Sequence, residues 1–244
     1  MTTINPPERV TQNRVVRHFQ DVLGYDYLGN WQDRPNNRNV EVGLLQTFLR
    51  ARYDDATIQR AIDEFQRVAG NQADALYEVN KQVYGLLRYG VKVKPNPTDN
   101  YVTVWLIDWN HPEANHFAIA EEVTVRGQNT KRPDIVIYVN GIALGVLELK
   151  RSTVFVSEGI RQNLGNQQDM FIKRFFTTMQ LVMAGNDTQG LRYGTTLTPE
   201  KYHLTWKEEG APPPDGYAMD ADLTHLCSKT RLLQLIHDFI IFDH

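Results

Sequence analysis

An Asn140-Gly141 dipeptide divides one long apolar stretch of this 244-residue chain into two halves. Residues 132–150 read RPDIVIYVNGIALGVLELK, and most of their apolar side chains are β-branched or leucine. Asn-Gly between two such runs is the strongest short-range signal for a β-hairpin, because both residues accept the positive φ angles of a tight turn. The sequence therefore predicts strands at 133–139 and 142–149, joined at this turn.

Charged residues of this hairpin occur only at its open end, where Asp134 begins one strand and Glu148 and Lys150 end the other. Carboxylates beside buried strands are costly unless something compensates them, and a divalent cation is a natural compensation. We interpret Asp134 and Glu148 as ligands of Mg²⁺, or of Mn²⁺ in its place, with the backbone carbonyl of Leu149 as a further oxygen ligand. Lys150 would position a water or neutralise charge during phosphodiester hydrolysis. The alternative is a surface ion pair at a strand end.

The register of the hairpin decides whether the two carboxylates can share an ion. With a plain two-residue loop, Asp134 would lie opposite Leu147, and Glu148 would point to the other face because strand side chains alternate. A three-residue loop over 140–142 or a β-bulge near Gly145 would shift the pairing by one residue and place both carboxylates on the same face. We therefore predict an odd-length loop or a bulge, with the carboxylates converging.

The charged hairpin resembles the catalytic core of the PD-(D/E)xK nuclease superfamily. Further segments resemble the N-terminal nuclease domain of type I restriction enzyme R (HsdR) subunits, namely 37–45, 103–109, 120–125, 132–152, 159–167, 175–195 and 202–207. The resemblance implies an α/β (α+β) fold, with a restriction endonuclease-like αβββαβ core. Its mixed sheet would be flanked by helices, with extra helices near the N-terminus.

The same resemblance implies a function: a type I site-specific deoxyribonuclease that cuts double-stranded DNA after ATP-driven translocation. Its partners would be the modification and specificity subunits, and the specificity subunit would determine the recognition sequence. No GxxxxGK[ST] loop is present, so ATP would bind only in a motor that this chain lacks. We therefore interpret the chain as an excised or truncated nuclease domain.

Supporting residues are suggested around the hairpin. Related nucleases carry a Gln-x-x-x-Tyr signature on the next helix; Gln162 matches it, but Asn166 replaces the tyrosine. Gln162 is a candidate for orienting Lys150 or touching a phosphate, and Arg161 is a candidate DNA contact. Glu8 at the first helix could complete the metal site, or could simply favour the positive end of the helix dipole.

Composition agrees with this interpretation and adds few constraints. A net charge of −3 argues weakly against a stand-alone high-affinity DNA binder. By resemblance, the full R subunit would bind DNA mainly through its motor and its partners. Cys227 is the only cysteine, so no internal disulfide can form, and a bacterial cytoplasm is the simplest setting. No apolar run reaches transmembrane length, and no membrane partner is expected.

The resemblance implies one nuclease domain over 1–244, with a helical insertion at about 40–90 and, at 211–244, a linker and helix leading to an absent translocase. The periodicity of apolar residues predicts its individual elements. Helices are predicted at 8–23, 40–52, 56–68, 72–88, 158–176 and 222–240. Strands besides the hairpin are predicted at 101–107, 117–126, 178–183 and 191–196.

Two other functions remain open at this point. A nuclease of DNA repair or processing would share the fold and differ in the chain downstream of residue 244. A non-catalytic interaction module would keep the fold without the chemistry, but the intact Asp134, Glu148 and Lys150 argue against it. A metal titration would separate that module from both nucleases.

Overall fold

The structure, a computed structural model, describes residues 7–96, 98–207 and 217–242. Its helices are α1 (Pro7–Arg17), α2 (Val42–Leu49), α3 (Asp55–Ala69), α4 (Leu76–Tyr89), α5 (Val156–Asn166), α6 (Ala218–Cys227) and α7 (Lys229–Gln234). Its strands are β1 (Asp26–Asn30), β2 (Val91–Val93), β3 (Val102–Val104), β4 (Phe117–Glu121), β5 (Ile135–Val139), β6 (Ile142–Leu149), β7 (Leu181–Asn186) and β8 (Gly190–Gly194). Single turns of π-helix extend α1 (His18–Val22) and α7 (Leu235–Phe239), and 3-10 turns lie at Pro112–Ala114, Lys173–Thr177 and Glu200–Tyr202. None of the described helices has the length and apolar character needed to cross a membrane.

A six-stranded mixed sheet forms the centre of the protein, in the order β1-β4-β5-β6-β7-β8. The pairs β1–β4 and β6–β7 are parallel, and the other neighbours are antiparallel. Along the chain, α1 precedes the antiparallel strands β4, β5 and β6, and α5 and β7 follow them. This order confirms the predicted αβββαβ core, and α2 to α4 lie between β1 and β4 as the extra helices expected there.

Strands β5 and β6 are buried on both faces, as their nearly continuous apolar sequences require. One face, with Ile135, Ile137 and Leu147, belongs to the larger apolar cluster, which includes residues of α1, α3, α6 and α7. The other face, with Val136 and Val146, packs in a second cluster that includes the 3-10 turn at 173–177. At the hairpin's open end the side chain of Glu148 is therefore buried between these layers, whereas Asp134 and Lys150 lie at their edge and are partly exposed.

Several predicted elements differ from the observed ones. The strand expected at 101–107 is only β3, which pairs with β2 in a separate two-stranded sheet. The strand expected at 117–126 ends at Glu121, because Glu122 has a φ of +52° that turns the chain out of the sheet. The polar sequence of β1 gave no alternation by which to predict it.

The helical predictions were closer, with shifts at their ends. Those at 8–23, 40–52, 56–68 and 72–88 correspond to α1 with its π-helical turn and to α2, α3 and α4. The helix expected at 158–176 stops at Asn166, and the one expected at 222–240 begins at Ala218 and breaks at Ser228. The loop predicted at 211–216 lies outside the described residues.

The β5–β6 hairpin contains the predicted bulge. Asn140 and Gly141 have φ angles of +50° and +81°, so they form a two-residue turn, and the three-residue loop is wrong. Next to the turn Tyr138 pairs with Ala143, but the following pair is Ile137 with Gly145, so Leu144 is an extra residue. The bulge shifts the parity by one, as the convergence of the two acids required.

The turn itself is buried and tied to its surroundings. The Asn140 amide accepts a hydrogen bond from the backbone N–H of His116 (2.7 Å) and donates to the carbonyl of Leu106 (3.0 Å). The carbonyl of Gly141 accepts from the N–H of Glu41 at 2.7 Å, at the start of α2. The bulge therefore sits on a hairpin whose closed end is fixed by three separate segments.

We expect Gly141→Ala to destabilise the protein by about 2 kcal/mol or more, because L-residues are strained at its φ of +81°. The added Cβ would also lie 2.6 Å from the Glu41 carbonyl oxygen. Gly43→Ala, in α2, is the matched control: its Cβ meets no atom within 4 Å, and it should raise the free energy of unfolding by about 0.5–1 kcal/mol. Urea unfolding of both variants measures the difference, and equal effects would contradict the buried turn.

Candidate active site

The bulge places two carboxylates side by side at the open end of the hairpin. Ile135 pairs with Leu147, so the same register puts Asp134 opposite Glu148. Oδ2 of Asp134 accepts a hydrogen bond of 2.7 Å from the backbone N–H of Leu149. Only 1% of Glu148 is exposed. The register therefore puts the two acids on one face of the hairpin, as predicted.

Burial gives both carboxyl groups an unusual affinity for protons. It raises the pKa of Glu148 to about 8, and the negative charge of Asp134 adds to the effect, while Lys150 opposes it. Burial likewise raises the pKa of Asp134 to about 6, against the hydrogen bond from Leu149 and the charge of Lys150. Without a cation beyond Lys150, the pair holds a proton near neutral pH.

Lys150 lies between the carboxylates and helix α5. Its ammonium Nζ donates to Oε1 of Glu148 at 2.8 Å and to Oε1 of Gln162 at 2.9 Å. Helix α5 approaches this closely because Gly159 faces β6 and β7: a Cβ there would be 3.0 Å from that of Ala184. Gln162 therefore makes the orienting contact with Lys150 that the sequence suggested.

One oxygen of the pair has no hydrogen-bond partner. Oε2 of Glu148 is buried and unpaired among the described residues. An unpaired, buried carboxylate oxygen is expensive, so this atom needs a proton or a cation. No group of three or more His, Cys, Asp or Glu side chains in the described part of the chain is arranged to bind a metal. The structure thus brings two carboxylates together here, those of Asp134 and Glu148, and no third His, Cys, Asp or Glu side chain among the described residues.

Two other predicted site residues lie at the margin of this cluster. Glu8, in the first turn of α1, faces Arg151, with Oε2 3.6 Å from Nε. Its negative charge is one of the causes that raise the pKa of Asp134, so it lies near the pair without joining it. Arg161 does not join the cluster, because its guanidinium contacts Glu200 at 2.7 Å and Glu158 at 2.8 Å. A DNA contact by Arg161 stays a prediction.

Three further polar side chains lie apart from the Lys150 cluster. Asn166, at the position of the family tyrosine, is 1% exposed, so its side chain faces the interior and not the open surface where Gln162 lies. Glu41 forms an ion pair with Arg34 at 2.7 Å. Glu122 pairs with Arg132 at 2.7 Å, beside the backbone of Asp134.

The sequence analysis missed a buried network on the other face of the sheet. Both oxygens of Glu121 accept hydrogen bonds from Arg9 (3.0 and 2.9 Å), and Gln12 and Tyr27 donate to the same carboxylate. These bonds lower the pKa of Glu121 although burial opposes them, and burial together with Glu121 raises the pKa of Tyr27 to about 12. A glutamate ending the apolar run FAIAE was the available signal. The network fixes the first turn of α1 beside the carboxylate pair.

Comparison with known proteins identifies the family of this chain. A family model described as the type I restriction enzyme R protein N terminus matches residues 5–202. The chain therefore belongs to that family of R-subunit N-terminal domains.

Two relatives from Methanocaldococcus jannaschii are similar along nearly the whole chain. One is named "Putative type I restriction enzyme MjaIXP endonuclease subunit"; it is 22% identical over 96% of this chain and 25% of its own length. The other, the MjaVIIIP subunit named in the same way, is 23% identical over 97% of this chain and 23% of its own length. The chain thus spans about a quarter of the length of these relatives.

The raised pKa of Glu148 predicts how stability depends on pH when divalent metal is absent. A carboxyl group that binds its proton more tightly in the folded state stabilises the fold at low pH. That contribution is lost as pH rises from the ordinary value of 4.5 towards about 8. The loss should amount to a few kcal/mol, since each tenfold difference in proton affinity between the folded and unfolded states corresponds to about 1.4 kcal/mol.

Glu148→Gln removes this titration. In chelator, the variant should melt at a higher temperature than the wild type at pH 9, and the difference should shrink towards pH 5. Glu158→Gln, on the exposed face of α5, is the control and should follow the wild type at both pH values. If Glu148→Gln and wild type show the same pH dependence, Glu148 does not have a raised pKa.

Proposed function

We propose that this chain is the Mg²⁺-dependent endonuclease domain of a type I restriction enzyme R subunit, and that it hydrolyses phosphodiester bonds of double-stranded DNA. The observation that carries the proposal is the unpaired, buried oxygen of Glu148, next to Asp134 and Lys150. A carboxylate pair with this need for positive charge fits a divalent cation. Family membership and the names of the two relatives support the restriction role.

The donor set decides which metal fits. Asp134, Glu148 and the carbonyl of Leu149 would supply hard oxygen ligands, which suit Mg²⁺ or Mn²⁺. Zinc prefers thiolate and imidazole ligands, and the described part of the chain brings neither to this pair. When bound, such an ion supplies positive charge to the scissile phosphate and lowers the pKa of water.

Lys150 would orient a water or contact the phosphate, and Gln162 would hold Lys150 in position. The Lys150 ammonium has three N–H donors, and two of them are occupied by Glu148 and Gln162. The third is available to orient a water or to contact a phosphate oxygen as negative charge develops. Gln162, an acceptor on a helix fixed by Gly159, would set the direction of that third donor.

The activity of the complete protein belongs to this proposal as well. The longer subunit would translocate DNA with ATP in motor domains beyond this chain, and the modification and specificity subunits would direct it in the cytoplasm. A DNA repair nuclease would use the same residues, but the relatives' names favour restriction. A non-catalytic module has no need for the cost of an unpaired buried carboxylate.

Substitution of the cluster should separate cleavage from the motor. In the complete R subunit, Asp134→Ala, Glu148→Ala or Lys150→Ala should lower DNA cleavage at least about a hundredfold. The first two variants lose a metal ligand, and the third loses the ammonium that stabilises negative charge in the transition state. ATP hydrolysis and translocation should persist, since they belong to another part of the protein. Glu158→Ala is the control and should cut normally. Wild-type cutting by Glu148→Ala would refute the site assignment.

Metal binding can be measured without any cleavage. Mn²⁺ should bind one site in this chain, seen as loss of the free-ion electron paramagnetic resonance signal, and Asp134→Ala or Glu148→Gln should abolish that binding. Binding should weaken as pH falls below about 8, where protons compete for Glu148, and more steeply below about 6, where they also compete for Asp134. Calcium should displace Mn²⁺ but support little cleavage. Equal Mn²⁺ affinity in wild type and Glu148→Gln would rule out this pair as the metal site.

A further inference from the structure

A second charged region lies away from the carboxylate pair. It is a groove of about 640 Å³ between the loop that follows β1, the chain that leaves β4 and the 3-10 turn at 173–177. Four arginines line it, and we call it the cationic groove. Arg34 is paired with Glu41 at 2.7 Å, so the argument concerns the other three, Arg38, Arg126 and Arg174. The protein carries a net charge of −3, so a concentration of arginines in one groove is not a consequence of composition.

These three arginines have no carboxylate partners. Among the described residues, no Asp or Glu oxygen lies within 4 Å of a guanidinium nitrogen of Arg38, Arg126 or Arg174, although many other arginines are paired. All three are exposed. Asp33 is the only acidic residue among those that line the groove. Unpaired guanidinium groups facing one cavity favour an anion there.

The groove is held open by hydrogen bonds between its walls. The Asn39 amide donates to the carbonyl of Arg174 at 3.1 Å, which joins the loop after β1 to the 3-10 turn. The Asn37 amide donates to the carbonyl of Thr124 at 2.9 Å, which joins the same loop to the chain after β4. The backbones that carry the three arginines are therefore fixed relative to one another before any ligand binds.

The lining favours a phosphate backbone over unstacked bases. Proteins that bind single strands place exposed aromatic rings for the bases to stack on. Here Phe175 is 3% exposed and Trp31 is 6% exposed, and the guanidinium of Arg34 covers the Trp31 ring at 3.8 Å. Arginine and asparagine side chains are the usual partners of phosphate oxygens. The groove thus offers backbone contacts and no base platform.

The groove is connected to the carboxylate pair by one short stretch of chain. The backbone N–H of Glu122 donates to the carbonyl of Asp134 at 2.8 Å, and Arg126 follows four residues later. Four residues separate their Cα atoms by at most roughly 14 Å. This is comparable to the major-groove width of about 12 Å. One duplex could therefore reach both the carboxylate pair and the groove with different phosphates.

We propose that the cationic groove binds the sugar–phosphate backbone of double-stranded DNA, through Arg38, Arg126 and Arg174, outside the hydrolytic site. This inference rests on the proposed nuclease function for its choice of polyanion. Each guanidinium contacts a phosphate, so binding releases counterions and depends on salt but not on base sequence. The groove would hold a duplex in position while a different phosphate lies at Asp134 and Glu148.

The test compares two triple variants that lose the same charge. The first is Arg38→Gln, Arg126→Gln and Arg174→Gln. The control is Arg17→Gln, Arg60→Gln and Lys92→Gln, three exposed cations that also lack carboxylate partners among the described residues and lie outside the groove. Binding to a labelled duplex is followed by fluorescence anisotropy in chelator, over a series of KCl concentrations.

The groove variant should bind at least about tenfold more weakly at low salt than the control, and the slope of log K against log salt should fall by about 2 to 3, near 0.9 for each lost phosphate contact. Both triple variants should keep wild-type melting temperatures and Mn²⁺ binding. Equal affinities and slopes for the two variants, tighter binding of a single strand than of the duplex, or no duplex binding by the wild type would each overturn the proposal.

The outcome is distinguishable from that of the nuclease proposal. Glu148→Gln should bind duplex DNA in chelator at least as tightly as the wild type, because it removes a negative charge beside the phosphate, whereas the groove variant should lose binding and keep its Mn²⁺ site. If Glu148→Gln still cuts DNA while the groove variant fails to bind, the proposed catalytic site is wrong and the groove stands. If Glu148→Gln stops cutting while the groove variant binds normally, the groove is wrong and the catalytic site stands.

Discussion

The extra residue Leu144 in β6 is the constraint on which the candidate site depends. Without it the two-residue turn at Asn140 would send Asp134 and Glu148 to opposite faces of the sheet. With it, both carboxylates lie on one face, next to Lys150. Because the hairpin is buried on both sides, neither face can shift its register without exposing apolar residues. The core packing therefore fixes the position of the charged residues.

Two buried glutamates at the same end of the sheet differ in how far the protein compensates their charge. Glu121 receives hydrogen bonds from Arg9, Gln12 and Tyr27, and its pKa is lowered although burial opposes this. Glu148 receives one from Lys150 and keeps an unpaired oxygen, and burial raises its pKa to about 8. Glu121 is fully compensated by the protein and serves to anchor α1. Lys150 compensates Glu148 only in part, and strongly perturbed groups of this kind are concentrated at functional sites.

The kink at Glu122 gives the strand β4 a second role. By leaving the sheet there, the chain brings Thr124 against the loop after β1, and it carries Arg126 away from the carboxylate pair. A hydrogen bond from the backbone N–H of Glu122 to the carbonyl of Asp134 joins the start of this segment to the candidate site. The arginine that this segment carries forms no ion pair with a carboxylate among the described residues, so the positive charge of the groove stays unpaired. The modest net charge of the whole chain conceals this unpaired charge.

The sequence by itself determined the central hairpin, its turn, its need for a bulge and the acids at its open end, because these depend on local rules of turn conformation and side-chain alternation. It also determined α2 to α4 and, through Gln162, one contact of Lys150. The tertiary structure alone decided that Leu144 is the bulged residue, that β4 ends at Glu122 and that Asn166 turns inward. It alone brought the arginines of the groove together from three distant segments. These features depend on which surfaces pack against one another, and no local pattern in the chain records that.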